Sequence, residues 1–267
     1  MSPDSPPPDI LAPPEPALEA PPQPPAPLDP PVERYPFWGY LDFLGFTLMA
    51  LLGMVVESLL MAAFISATHI KQIYVLMPAQ ILLYAFLLGS LALIFRRYYD
   101  RPFRQSVRWT RFALSTPFVA SCGVMAALVV VVASLLIGTP DNDSPMKALL
   151  SDPASALMIA VIGISLAPVC EEIVFRGFLQ PLLVRSFGVW PGILLAAAAF
   201  GLMHFQEYGN SWRHALLITL AGASFGWMRQ RAGSTKAAAV MHAAYNGVFF
   251  LLLAAQQAAA HGHWAGR

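Results

Sequence analysis

The sequence predicts an all-α, polytopic membrane helix bundle of about seven transmembrane helices, with a disordered Pro-rich N-terminal tail. Three observations predict it. The 267 residues are 57% hydrophobic and 12% charged, against a usual charged share of about 25%, and the mean hydropathy is +0.59. Beyond Phe37, runs of about 20 apolar residues recur, the length that crosses a bilayer. Finally, 15 of the 24 prolines fall within residues 1–36.

That first segment holds Asp and Glu among its prolines and almost no large apolar residues. It cannot bury enough surface to fold, and reads as a partly polyproline-II tail. It is not a signal peptide, because its first basic residue is Arg34 and no charged start precedes an apolar core. The predicted spans are 38–66, 73–95, 112–137, 154–176, 189–206, 214–229 and 236–258. The fourth continues past Arg176 as an amphipathic stretch to Ser186, ended by Gly188 and Pro191. In domain terms, 37–150 carries the first three spans, 151–260 a helical core, and 261–267 a C-terminal tail.

Arginine placement orients the bundle. The link after the second span holds Arg96, Arg97, Arg101, Arg104, Arg108 and Arg111. Arg176, Arg185, Arg229, Arg231 and Lys236 fall on the same side. The opposite side has Lys71, Lys147, Arg213 and Arg267, with Asp141, Asp143 and Asp152 in the longest loop. This bias predicts a multi-pass protein of the cell (plasma) membrane with a cytoplasmic N-terminus. The Arg-rich link reads as topology and contact with anionic lipid. A net charge of +1 and the lack of a basic, aromatic-studded stripe argue against a nucleic-acid partner. Cys122 and Cys170 sit in apolar runs, which excludes a Cys-rich zinc module and argues for packing roles. No internal repeat marks a transporter of two related halves.

Against this apolar background a few polar residues stand out. Glu171 and Glu172 end a run that is apolar from Pro153 onward. An ionised carboxylate costs about 3 kcal/mol or more in hydrocarbon, and two neighbours oppose each other's ionisation. Glu172 and Arg176 stand four apart on one helical face and can form an ion pair. Glu171 lies about 100° round the helix and has no partner in its own segment. His204 follows Phe200 by one turn in the fifth span. His242 and Asn246 share a face of the seventh. Glu57 lies in the first span, where it lines a wet cavity or pairs within the bundle.

Helix arithmetic places two of these at one depth. Glu171 is 17 residues before Gly188 and His204 is 16 after it, so each lies about 25 Å from the hairpin turn. His242 joins them only if that hairpin projects beyond the membrane on the cytoplasmic side. A carboxylate and a histidine at one level can activate water, as bases or as metal ligands. A second histidine with an amide can stabilise an oxyanion. This is the inventory of a peptide hydrolase that uses neither Ser nor Cys. The HExxH zinc signature is absent.

Glu171-Glu172-x-x-x-Arg176, Phe200-x-x-x-His204 and His242-x-x-x-Asn246 together resemble the three-motif pattern of the CPBP family. These are the CAAX-protease and bacteriocin-processing (ABI) membrane endopeptidases. The resemblance covers roughly 150–260, and type II CAAX prenyl endopeptidases are the best-known members. It implies an intramembrane endopeptidase of metalloprotease or glutamate type acting on a membrane-associated protein or peptide. It further implies that Glu171 and His204 activate the attacking water. His242 and Asn246 steady the oxyanion, or His242 joins Glu171 and His204 in a Zn2+ site with an open position. The Glu172–Arg176 pair holds the helix in place. Some relatives serve as bacteriocin-immunity proteins or inactive membrane scaffolds, which keeps a non-catalytic alternative open. A proton or ion pathway through Glu57, Glu171 and the histidines is a third. Neither substrate prenylation nor oligomeric state is legible.

Overall fold

The computed structural model describes residues 34–140 and 143–265. The predicted tail lies outside the described residues except for its last three, and so do Asp141 and Arg267. Every predicted span contains a helix. α1 (Tyr40–Thr68) and α2 (Gln72–Tyr99) form a hairpin, and α3 (Phe103–Ser106) is a single turn in the Arg-rich link. α4 (Thr116–Ile137) is followed by α5 (Pro145–Leu150). The fourth predicted span is built in pieces: α6 (Pro153–Ile164), α7 (Leu166–Glu172), a π-helical segment (Ile173–Leu179) and α8 (Gln180–Phe187). α9 (Val189–Met203), α10 (Trp212–Ala232) and α11 (Thr235–Ala265) complete the chain.

Local chemistry sets several of these ends. Ser115, Ser144 and Asp152 each accept a backbone N–H in the first turn of α4, α5 and α6, with a proline at the start of each helix. Gly138 and Gly233 stop α4 and α10 in the left-handed conformation.

The span read as continuous over 154–176 is corrected to a broken one. α6 and the α7–α8 rod meet at a 42° bend, with Ser165 at φ −121°, ψ −80°. Pro168 explains the break, since it has no N–H for the Ile164 carbonyl and its ring crowds that oxygen. Pro181 acts similarly one stretch later, withholding an N–H from Gly177. The turn before it widens, and the Gln180 N–H reaches back five residues to the Phe175 carbonyl. π segments of this kind recur at functional sites.

Among the described residues, four helices are long and apolar enough to cross a membrane, or five if the bent pair is one span. The other two predicted spans are α9 and α10. α9 has 15 residues, about 23 Å of rise against a hydrocarbon core of about 30 Å. α10 is long enough but carries Arg213, His214, Arg229 and Arg231.

Packing concentrates on the second half. α4, α10 and α11 share an apolar cluster around Ala127, Phe225, Met228, Ala238 and Met241. α4 approaches α11 closely at Gly123, where a Cβ would sit 2.1 Å from the Met241 carbonyl. Phe175, Leu179, Ala196 and Phe200 seat α9 on the π segment. Trp38, Phe95, Val107 and Phe178 form a third cluster, and the Trp38 indole donates to the Phe178 carbonyl at 3.1 Å. Pro36, at the end of the predicted tail, is already buried.

The Arg-rich link clasps the start of α11. Thr235 donates its hydroxyl to the Val107 carbonyl at 2.6 Å and its N–H to the Arg108 carbonyl at 3.0 Å. Ser234 donates to the Thr110 carbonyl at 2.7 Å. This clasp fixes the height of His242, seven residues along the same helix.

Candidate active site

Glu172 is the hub of the site. Its Oε1 accepts from Arg176 Nη1 at 2.9 Å and from His242 Nδ1 at 3.0 Å. Both Glu172 and Arg176 have fully buried side chains. Arg176 also donates Nη2–H to the Gly222 carbonyl at 2.7 Å, and its guanidinium lies 4.6 Å from the Phe200 ring centroid and 5.5 Å from that of Phe225. Gly222 makes this approach possible, because a Cβ there would meet Nη2 at 2.9 Å. A buried carboxylate is tolerable only with such compensation.

His242 is held on three sides. It stacks on Phe225 (centroids 4.5 Å apart, planes at 19°) and meets Phe200 edge-on at 5.7 Å. A carboxylate only accepts hydrogen bonds, so the Glu172 contact puts a proton on Nδ1. Nε2 then faces Glu171 Oε2 across 3.9 Å. That gap is too long for a direct hydrogen bond.

Glu171 differs from its neighbour in access. Its side chain is 15% exposed where Glu172 is sealed. Its one hydrogen-bond donor among the described residues is the Tyr84 hydroxyl, at 3.4 Å. Sequence reasoning missed Tyr84, which lies on α2, outside the three motifs. Nothing in its own segment marks it beyond being a polar tip in an apolar helix.

His204 ends α9 and hydrogen-bonds through Nδ1 to the Phe200 carbonyl at 2.8 Å. Its ring packs on Phe200 at 4.6 Å, so one phenyl ring touches His204, His242 and the Arg176 guanidinium. Among the described residues no hydrogen bond or ion pair joins His204 to Glu171. Asn246 donates to the Gly163 carbonyl at 2.8 Å. That oxygen lies at the α6–α7 break, where the last turn of a helix leaves carbonyls unpaired. Asn246 thus ties α11 to the broken span.

Glu207, three residues past His204, is the second residue the sequence reading missed. Its backbone carbonyl accepts from the Met146 N–H at 3.2 Å, which brings the α9–α10 loop against α5. Desolvation raises the Glu207 carboxyl above its usual range; the nearby His204 opposes the rise and the Glu171 charge adds to it. The residue is nonetheless exposed at the surface. Glu207 lies near enough to Glu171 and His204 for their charges to act on it.

The Zn2+ set of Glu171, His204 and His242 is not assembled. Among the described residues, no group of three His, Cys, Asp or Glu side chains is close enough to hold a metal. Two of the three named donors face each other and the third is turned to its own helix carbonyl. The residues do not fit that group as they stand.

Fold and site together define a multi-pass membrane protein whose helices enclose an acid–imidazole–guanidinium cluster. Residues 153–248 match the family described as type II CAAX prenyl endopeptidase Rce1-like. The chain carries an Rce1-like domain of the CPBP family over those residues, from α6 to the middle of α11. The family is one of intramembrane proteases, which implies a protein or peptide substrate. No curated protein and no solved structure gave a match.

Proposed function

We propose that this protein is an intramembrane endopeptidase that hydrolyses a peptide bond of a membrane-associated protein or peptide with a water primed at Glu171. The observation that carries the reading is the 3.9 Å opening between Glu171 Oε2 and His242 Nε2. On one side stands an accessible carboxylate. On the other stands an imidazole whose second nitrogen is tied to a sealed Glu172–Arg176 pair.

Glu171 is the general base. It takes a proton from the water, whose oxygen attacks the scissile carbonyl carbon; the same carboxyl then gives that proton to the departing amine. When Nε2 carries a proton, His242 donates to the oxyanion, as does the Tyr84 hydroxyl beside Glu171. Glu172 and Arg176 orient the imidazole and do not touch substrate. His204 borders the water from α9, and its Nε2 remains available because Nδ1 is occupied. Asn246 supports the site by closing the α6–α7 break. We further infer that α9 and α10 also span, for seven spans in all, with the Arg-rich link and the N-terminus in the cytoplasm.

The test compares peptides released from membranes carrying the wild-type chain or Glu171→Gln. Loss of specific fragments, with folded protein unchanged, supports the reading and names the substrate. Fragments that persist in the variant assign the cluster to a non-catalytic scaffold.

A further inference from the structure

The link from α2 to α4 borders an open cavity of about 640 Å3, lined by Ala92, Arg96, Arg101, Arg104, Gln105 and Trp109 among others. That volume lies in the range of about 300–1,000 Å3 common for small-molecule sites. Residues 96–111 hold six arginines and one acid, Asp100. Arg96 and Arg104 are exposed, and among the described residues nothing pairs with either guanidinium. The frame behind them is rigid. The Trp109 N–H bonds the Arg104 carbonyl at 2.8 Å, Ser106 donates its hydroxyl to the Pro102 carbonyl at 2.9 Å, and Val107 is fully buried within the clasp on Thr235.

The positive-inside bias requires only that arginines lie near a span. It does not require three of them to line one cavity. The guanidinium groups of Arg96 and Arg104 suit the oxygens of a phosphate, to which each can donate two hydrogen bonds. The surface running from the cavity along α2 is apolar and outward-facing, with Leu93 65%, Phe86 44% and Leu82 70% exposed. An occupant therefore meets cations and the Trp109 ring at one end and an apolar, outward-facing helix surface at the other. We propose that this cavity binds the phosphodiester headgroup of an anionic glycerophospholipid, whose acyl chains lie along α2. This site is separate from the Glu171 centre and stands whether or not the protein is a protease.

The test uses the full chain in neutral micelles containing phosphatidylcholine, titrated with phosphatidylglycerol and read by native mass spectrometry. Saturable binding is expected, weakened about tenfold or more by Arg96→Gln/Arg104→Gln, while Arg97→Gln/Arg231→Gln, which removes the same charge outside the cavity, changes it by less than about twofold. If the first double variant loses its melting transition, Arg104→Gln alone carries the test, with an expected loss of about threefold. Equal weakening in both double variants, or binding that never saturates, overturns the site. Competition by millimolar glycerol 3-phosphate or inorganic phosphate overturns the lipid assignment in favour of a free phosphate.

Discussion

The α1–α2 hairpin and the junction of α7, the π segment and α11 each place an acid in an apolar helix, and they accommodate it in opposite ways. Glu57 lines an apolar groove of about 900 Å3 between α1 and α2. It is half-exposed, and among the described residues nothing hydrogen-bonds to its side chain. Glu172 is completely buried and holds Arg176 and His242 on a single oxygen. A carboxyl at the margin of a bundle can exchange its surroundings; one at the centre must be built around. Glu171, one residue from Glu172 but partly accessible, combines a fixed position with an open face. Chemistry needs that combination and neither extreme offers it.

The largest effect expected from breaking this contrast is at Arg176. Arg176→Ala strands Glu172 and frees the Gly222 carbonyl, and loss of one partner of a buried pair costs about 3–5 kcal/mol. Thermal melts in detergent should show a large drop in midpoint or no folded protein at all. Next comes Asn246→Ala, which leaves the Gly163 carbonyl unpaired at the α6–α7 break; about 1–3 kcal/mol is expected, read from the same melts.

Asp152 sharpens the comparison from outside the spans. Its N-cap hydrogen bonds from the Ser155 N–H and hydroxyl, with Lys71 nearby, hold this carboxyl below its ordinary range. A depressed folded value means its contribution is present above the unfolded pKa of about 4 and lost as pH falls through the lower folded value. The full chain should therefore lose a small increment of stability on acidification below about pH 4. Asp152→Asn, which keeps a capping oxygen, should flatten that slope. The smallest effect belongs to Glu57→Gln, for which melts should move by no more than about 0.5 kcal/mol. A loss comparable to that of Arg176→Ala would mean the groove acid has a partner in the membrane.

Much of this is legible in the sequence. Apolar run length located a helix in each of seven places, and the four-residue spacing of Glu172 and Arg176 identified their pair. Counting residues from Gly188 put Glu171 and His204 at one height, and the structure brings His204 and His242 onto the same Phe200 ring. Other features depend on distant parts of the chain. The α6–α7 bend and the π segment have visible causes in Pro168 and Pro181, but hydropathy is blind to a proline inside an apolar run. Tyr84 reaches Glu171 only because α2 packs beside it. Glu207 lies in a loop, where helical periodicity gives no signal. The His242–Glu172 bond joins residues 70 apart, and no local pattern distinguishes which of two adjacent acids receives it.

The proposed division of labour between Glu171 and Glu172 can be checked with one paired measurement. Glu171→Gln and Glu172→Gln are prepared alike, and each is scored for cleavage and for melting midpoint. Glu171→Gln should lose cleavage by about 10²–10⁴-fold with the midpoint nearly unchanged, and Glu172→Gln should lower the midpoint sharply. Full cleavage in Glu171→Gln, or matched loss of stability in both variants, would contradict it.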